Sequence, residues 1–314
     1  MKFILPSFLD KSIAPLAETV ELCLWTPWLQ KGRIVSLLII GNPEIGATTV
    51  MKMYKDNEGL RYTDVVTPYG IIEKFGTDLQ NDRINYLILP DVGALSGSYT
   101  SGSIQKNVSF MKSLTEESVH ELSIFYMRYF PEIQQGFKEG KTMHCGIITK
   151  LQTSVWEDAR HYWRRSGFIS RLHPFSMSYS DVSQIRIADG VTDRSRKDIR
   201  AVKLHLPSWQ SRSSYHIIVP EEIRKEVVSL GMKIRDSISD KEKEKLEYGY
   251  GFREVESVSS LLQAITLKRE FEDGHKGLEF TVSVEDWELC RVLSHWWNYS
   301  SKPAESLDNI EVVK

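Results

Sequence analysis

Apolar runs separated by polar, helix-like stretches dominate the first half of the chain. Ile34–Ile40 ends at Gly41, Ile84–Leu89 ends just before Asp91, and His144–Thr149 is a third, shorter run. Continuous apolar runs of this length are typical of strands that are buried on both faces of a parallel sheet. The pattern therefore predicts an α/β fold in which a parallel sheet is flanked by helices.

Two further segments have strand-like patterns. Tyr62–Thr67 is predicted to be a strand, and Pro68–Phe75 a short connection after it. Between residues 180 and 218, the alternating stretches Gln184–Ile187 and Val202–Leu206 flank a basic turn. Alternation of this kind predicts an exposed β-hairpin, which we expect as an insertion in the α/β domain.

Helical periodicity marks both ends of the chain. Leu16, Val20 and Leu24 follow Pro15 and predict an amphipathic helix before the first strand. Glu221–Asp236 and the segment after Gly251 predict long helices, and Ser283 with Asp286 predicts a capping box that opens a last helix. We expect a helical segment (1–33), an α/β domain (34–220, with the hairpin near 180–218), a helical lid (221–299) and a tail (300–314).

The most specific chemistry lies between the first strand and the next helix. Gly41 and Gly46, followed by Thr48, match the phosphate-binding pattern G-x-x-x-x-G-K-[ST] at all fixed positions except one. Glycines let the backbone approach a phosphate closely, and the N–H groups that open the helix point at the anion. The residues predicted to bind nucleotide are Gly41, Asn42, Pro43, Glu44, Ile45, Gly46, Ala47, Thr48 and Thr49.

The exception is Ala47, which stands where the pattern has the lysine that reaches the β- and γ-phosphates. Two explanations of the alanine are open. A natural lysine was replaced deliberately to trap an inert state, or the loop is naturally degenerate. The remainder of the loop is intact, which favours deliberate replacement. In either case we expect ATP hydrolysis to be strongly reduced, because a full positive charge on the transferred phosphoryl group is lost.

Asp91 is the predicted partner of Thr48 in binding Mg²⁺. A buried strand that delivers a carboxylate beside the metal is a recurring part of ATP-hydrolysing sites, although the same residue is also explained as a turn aspartate after a core strand. Many such enzymes carry a glutamate directly after this aspartate, whereas this chain has Val92. Glu44, Glu116 and Glu117 therefore remain as candidate general bases.

The order of these parts resembles the AAA+ ATPase superfamily. In that family a polar strand end acts as sensor 1, and the resemblance implies this role for Thr149. The segment 167–172 resembles the turn that carries the arginine finger, which implies Arg171, with Arg165 as second choice, as the residue that contacts a neighbour's γ-phosphate.

The lid sequence around Arg253 and 282–286 resembles that of minichromosome-maintenance-type helicases. That resemblance implies that Arg253 is sensor 2, which contacts the γ-phosphate in cis. It also implies ATP and Mg²⁺ as cofactors and a homo-oligomeric ring or spiral that works as a motor or remodelling ATPase. Its expected substrate is nucleic acid such as DNA, which the basic hairpin would assist in binding. A partner protein would supply specificity, and the alternative function is a non-catalytic, nucleotide-dependent assembly scaffold or regulator.

The composition of the chain limits its binding partners and its location but identifies no reactive group. With 314 residues and a net charge of −2, the chain has no global attraction to nucleic acid or membranes. Cys23, Cys145 and Cys290 are scattered and form no metal-binding or disulfide pattern. The apolar patch at the start of the chain is too short for a signal peptide. No apolar run in the sequence is long enough to span a bilayer. We therefore expect a cytoplasmic protein.

Overall fold

The computed structural model describes residues 3–4, 10–65, 67–91, 102–158, 167–192, 201–239, 249–300, 304–305 and 312–313. Its helices are α1 (Ala14–Trp25), α2 (Ala47–Met53), α3 (Pro68–Gln80), α4 (Gly102–Lys112), α5 (Ile124–Met127), α6 (Pro131–Lys138), α7 (Asp181–Thr192), α8 (Glu221–Asp236), α9 (Phe252–Glu272) and α10 (Val284–Leu293). Its strands are β1 (Phe3–Ile4), β2 (Ser36–Gly41), β3 (Leu60–Tyr62), β4 (Tyr86–Leu89), β5 (Gly146–Gln152), β6 (Leu172–Ser178), β7 (His216–Ile218), β8 (Glu279–Thr281), β9 (Ala304–Glu305) and β10 (Val312–Val313).

Among the described residues, six strands form one parallel sheet in the order β3-β4-β5-β2-β6-β9. Strand β2 lies between β5 and β6, and every one of its residues is buried. Burial on both faces explains why these strands appear in the sequence as unbroken apolar runs. The predicted α/β class, with a parallel sheet flanked by helices, is confirmed.

The strand order creates one place where the chain changes direction across the sheet. From β2 the chain passes to β3 at the edge, whereas from β5 it passes to β6 on the far side of β2. The connections that leave the carboxyl ends of β2 and β5 therefore diverge. In open parallel sheets, ligands bind in the crevice at such a switch point. The predicted phosphate loop begins there, at the end of β2.

The region from residue 60 to residue 80 differs from the prediction. The strand lies at Leu60–Tyr62, and Pro68–Phe75 is the start of helix α3 rather than a connection. Thr67 caps this helix by accepting a hydrogen bond from the N–H of Gly70, and Pro68 takes the first helical position. Both features are local helix-start signals, which the prediction missed.

The predicted β-hairpin is wrong. Gln184–Ile187 lies within helix α7, and residues 201–208 are irregular. Asn57 determines the second segment, because its amide donates to the Val202 carbonyl at 2.7 Å and accepts from the Leu204 N–H at 2.7 Å. A tertiary contact thus replaces the strand pairing that the alternation suggested. Most of the basic turn, residues 193–200, lies outside the described residues.

The helices at the two ends of the chain are confirmed, and they pack together. Every residue of α1 except Glu21 is buried, so α1 is enclosed on all sides rather than amphipathic. Helix α9 covers it, and Lys268 lies 2.9 Å from an oxygen of Glu18 and 3.0 Å from one of Glu21. The capping box of Ser283 and Asp286 is present at the start of α10. Within the described parts of the chain, no helix has the length and apolarity that a membrane span requires.

Candidate nucleotide site

The predicted phosphate loop has the backbone shape that its glycines suggest. Gly46 is left-handed, with φ 77° and ψ 3°, and directly precedes helix α2. A Cβ atom at Gly46 would lie 2.4 Å from Cδ1 of Ile13, and one at Gly41 would lie 2.3 Å from Cδ1 of Ile45. Glu44 also has a positive φ of 71°, which is uncommon for a residue other than glycine. Left-handed residues between helical ones turn successive N–H groups towards one point, which is how backbone binds anions.

Other residues hold this loop in place from behind. Ile45 is buried, and its carbonyl accepts a 2.8 Å hydrogen bond from the hydroxyl of Tyr179, just after β6. Asn42, Pro43 and Glu44 are exposed at the tip. The loop is therefore anchored at its centre and open at its outer edge. Tyr179 was not predicted as part of the site, because nothing in the sequence links it to a segment more than a hundred residues away.

The start of α2 has donors available for a ligand. Ala47, Thr48 and Thr49 occupy the first three helical positions, whose N–H groups have no partner within a helix. No side chain in the described part of the protein caps the helix, and Thr48 and Thr49 are partly exposed. Ala47 is only 2% exposed, so its methyl group belongs to the packing of the loop. These donors fit phosphate oxygens, but the cation expected at position 47 is missing.

Asp91 lies at the same edge of the sheet. It is exposed and follows β4, and β5 separates β4 from β2. Neighbouring strands lie about 4.8 Å apart, so β4 runs about 10 Å from β2. Among the described residues no cluster of three His, Cys, Asp or Glu side chains forms a metal site. A Mg²⁺ ion held here would therefore need phosphate oxygens in addition to Thr48 and Asp91, as in P-loop proteins.

Thr149 is not at a strand end. It pairs with Leu38 and Leu89 in the middle of the sheet and is fully buried, and β5 continues to Gln152. Its Oγ1 has no hydrogen-bond partner among the described residues. Gln152, which is in register with Gly41, is the polar residue level with the loop. The prediction stopped three residues early because the continuous apolar run ends at Thr149 and the alternation in the next three residues was not recognised as part of the strand.

The two predicted arginines lie together at the amino ends of the strands, whereas the phosphate loop lies at the carboxyl ends. Arg171 directly precedes β6, and its Nε lies 2.8 Å from Oε2 of Glu116. Its Nη2 donates to Glu117 at 2.7 Å, and its side chain is 6% exposed. Arg253 donates from Nε to the other oxygen of Glu116 at 2.7 Å and from Nη1 to Ser170 at 3.1 Å. We call these residues, Glu116, Glu117, Arg171 and Arg253, the arginine cluster.

The charges of the arginine cluster shift the pKa values of Glu116 and Arg253. Burial raises the pKa of Glu116. A hydrogen bond from Arg253 and the positive charges of Arg171, Arg253 and Arg33 together lower the pKa by more than burial raises it, so the net shift is downward. Burial lowers the pKa of Arg253, and the contact with Glu116 more than reverses this. Arg33 adds a third guanidinium 4.0 Å from Glu116, and burial lowers its pKa. Glu116 and Arg253 are therefore both ionised at neutral pH and bind one another.

This placement separates the arginine cluster from the predicted phosphate loop. β6 separates Arg171 from the carboxyl edge by seven residues, or about 20 Å at 3.3 Å per residue. Arg253 contacts Ser170, next to Arg171, and so lies at the same amino end of the strands; its predicted γ-phosphate contact in cis stays a prediction. Glu116 and Glu117 contact Arg171 at that end too, and their assignment as general bases also stays a prediction. Val92 and Arg165 lie outside the described residues.

Comparisons with known proteins find similarity to solved structures but not to any described family. No protein-family model matches the sequence, and no curated protein is significantly similar to it. The solved structure of a full-length MCM homolog from Methanopyrus kandleri is similar to this chain, with a TM-score of 0.46 and 12% sequence identity. The similarity covers 92% of this chain and 56% of the other, so this chain spans little more than half the length of that protein.

Proposed function

We propose that this chain is an ATP-binding subunit of an AAA+-type assembly, with nucleotide phosphates bound along Gly41–Thr49. The observation that carries the proposal is the position of the loop. A left-handed Gly46 and the unpaired N–H groups of α2 open at the carboxyl edge of the sheet, at its switch point. Sequence motif and tertiary position are independent, and both favour a phosphate ligand there.

Each residue of the site has a separate task in this proposal. The N–H groups of Ala47, Thr48 and Thr49 bind phosphate oxygens, while the Thr48 hydroxyl and the Asp91 carboxylate hold Mg²⁺. The metal, when bound, neutralises negative charge on the β- and γ-phosphates. Without a lysine at position 47, binding survives in weakened form and hydrolysis is slow.

The position of the arginine cluster supports the proposal that the chain oligomerises. Arg171 and Arg253 lie at the edge away from the chain's own loop, so any phosphate that they contact belongs to an adjacent copy. This supports a ring or spiral in which one copy's arginine cluster faces the next copy's loop. Arg171 must first leave Glu116 and Glu117, since its guanidinium is fully engaged. Assembly therefore includes a rearrangement of the cluster.

Nucleic acid remains the proposed substrate, on the lid resemblance alone, because the basic hairpin that would have assisted is absent from the described residues. A partner protein would then supply specificity. The second candidate function is a nucleotide-dependent scaffold or regulator without turnover, and Ala47 is the observation that favours it.

Nucleotide binding is the first test. We expect a fluorescent ATP analogue with Mg²⁺ to bind the chain, and mass photometry to show ATP-dependent assembly that increases with single-stranded or duplex DNA. ATP-dependent assembly without any response to DNA would favour the scaffold. A monomer that binds no nucleotide would contradict the proposal as a whole.

Turnover is the second test. Ala47→Lys restores the phosphate-binding pattern, and we expect ATP turnover to rise by at least about a hundredfold, as is typical when a charge on the transferred group is regained. Ala47→Met, which adds similar length without charge, is the matched control. Equal turnover by both variants would show that the site is natively silent.

A further inference from the structure

Lys150 places a positive charge within the sheet, close to the proposed site. It lies on β5, between β2 and β4, in register with Ile39 of β2. Ile39 and Phe175, which pair at this level, are fully buried, whereas Lys150 keeps partial exposure. A side chain in a central strand reaches solvent only where the covering layer opens. Lys150 is two residues from the carboxyl end of β5, the end at which β2 leads into the phosphate loop.

Lys150 also lacks a counter-charge. Within the residues that the structure describes, its ammonium group makes no hydrogen bond or ion pair, whereas Lys268, also enclosed, contacts Glu18 and Glu21. Arg186, a cation at the same edge as Lys150, is bound to Asp10. Since a buried charge is normally paired, a half-buried ammonium group with no acceptor among the described residues is available to an anionic ligand.

Polar groups without partners continue along β5 to its end. Thr153, the residue after the strand, has an enclosed Oγ1 without a hydrogen-bond partner among the described residues. Gln152 is in register with Gly41, where the loop begins, and its side chain lies on the same face of the sheet as that of Lys150. The end of β5 therefore presents donors between the loop and Asp91.

The lysine is long enough to reach the loop. Lys150 lies two residues before Gln152, which is about 7 Å along the strand. Its flexible four-carbon stem spans nearly that distance and positions three donors on a point charge. The ammonium group can thus reach the carboxyl edge between Gly41 and Asp91, where the terminal phosphates of a nucleotide would lie.

We propose that Lys150 binds the terminal phosphates of the nucleotide and supplies the positive charge that Ala47 cannot. This inference rests on the proposed nucleotide site. It also makes the loop a natural variant, in which the cation comes from the neighbouring strand, rather than a site disabled at position 47. No covalent step is involved; Lys150 contributes charge and hydrogen bonds.

The test compares ATP-Mg²⁺ and AMP binding by the full chain and by Lys150→Met. Loss of a charge-assisted contact should weaken ATP binding at least tenfold, or about 1.4 kcal/mol, and leave AMP binding unchanged. Lys52→Met, at the far end of α2, is the charge-matched control and should bind like the unaltered chain. The double variant Ala47→Lys, Lys150→Met should regain ATP affinity.

The outcomes separate the two proposals. ATP binding that is equal in Lys150→Met and the unaltered chain would overturn the role of Lys150 alone. Absence of ATP binding by the unaltered chain would overturn the nucleotide site and Lys150 with it. Folding is checked by thermal unfolding, in which Lys150→Met should melt no lower than the unaltered chain because it removes an unpaired charge. If it melts lower, Lys150→Gln repeats the binding comparison, and ATP binding equal to that of the unaltered chain would again overturn the role of Lys150.

Discussion

Arg253, in the first turn of α9, donates a 2.7 Å hydrogen bond to Glu116, which lies more than 130 residues earlier in the chain. The other oxygen of the same carboxylate lies 2.8 Å from Nε of Arg171. One glutamate thus connects the C-terminal helices to the amino edge of the sheet and holds both arginines that the sequence assigned to nucleotide sensing. Any change in their position has to involve Glu116.

Glu116→Gln should destabilise the fold by about 2–4 kcal/mol, because Arg171 is left buried with only Glu117 as a charged partner. The measurement is urea unfolding at neutral pH. Glu256→Gln removes a carboxylate that is 65% exposed and 4.0 Å from Arg33, and should cost less than about 0.5 kcal/mol. Equal effects of the two substitutions would show that the cluster contributes no more than a surface ion pair.

Asp10 should make stability depend on pH below neutrality. Burial raises its pKa, but hydrogen bonds from Arg186 and Ser12 outweigh this and lower the pKa to about 2. Because an unfolded aspartate titrates near 3.9, the stabilisation is complete above about pH 5 and is lost as the pH falls towards 2. Allowing for solvent screening, Asp10→Asn should cost about 1 kcal/mol at pH 6.

Urea unfolding at pH 6 and pH 2.5 checks this expectation. The difference between the unaltered chain and Asp10→Asn should shrink at pH 2.5, since this pH lies below the unfolded pKa and close to the folded pKa, where most of the stabilisation has been lost. Asp82→Asn, which removes an exposed carboxylate 3.9 Å from Arg212, is the control and should have little effect at pH 6. A constant difference for Asp10→Asn would contradict the assignment.

Lys268→Met should be destabilising at neutral pH and less so in acid. The substitution leaves Glu18 and Glu21 enclosed without a cation, which costs about 3–5 kcal/mol when one partner of a buried pair is removed. Burial already raises the pKa of Glu21, and the loss of Lys268 raises it further. The folded variant therefore takes up protons more readily than its unfolded chain, and its stability recovers as the pH falls to about 4–5.

Unfolding of this variant from pH 4.5 to pH 7.5 provides the measurement. Lys225→Met, whose ammonium group is 76% exposed and 3.2 Å from Glu221, serves as control with a loss below about 0.5 kcal/mol. If the loss of unfolding free energy in Lys268→Met does not vary with pH, the substitution acts through the packing of the lysine stem rather than through its charge.

Gly46→Ala should cost more than the same change at another left-handed glycine. Gly140 has φ +84°, and a Cβ added there would have no atom within 4 Å, so Gly140→Ala adds backbone strain of about 1 kcal/mol and nothing else. At Gly46 the added Cβ also meets Ile13, and we expect about 2–3 kcal/mol in thermal or urea unfolding together with loss of nucleotide binding. Similar losses at both positions would show that the loop can shift to accept a side chain.

The sequence by itself determined those parts of this protein that depend on near neighbours. Ile34–Ile40 and Ile84–Leu89 were recognisable as strands because a parallel strand buried on both faces must be apolar throughout. Glu221–Asp236 and the capping box of Ser283 were recognisable because helix periodicity and capping act within a few residues. The phosphate loop belongs to the same class, since its glycines are required by its own backbone.

Only the tertiary structure decided which residues share an edge of the sheet. Strand order and register place Gln152 rather than Thr149 level with Gly41 and bring Lys150 within reach of the loop. The packing of α9 against the core places Arg253 at the opposite edge, beside Glu116. These positions depend on contacts between residues that are far apart in sequence. Such contacts leave no signal in any local sequence pattern, so only the folded structure shows them.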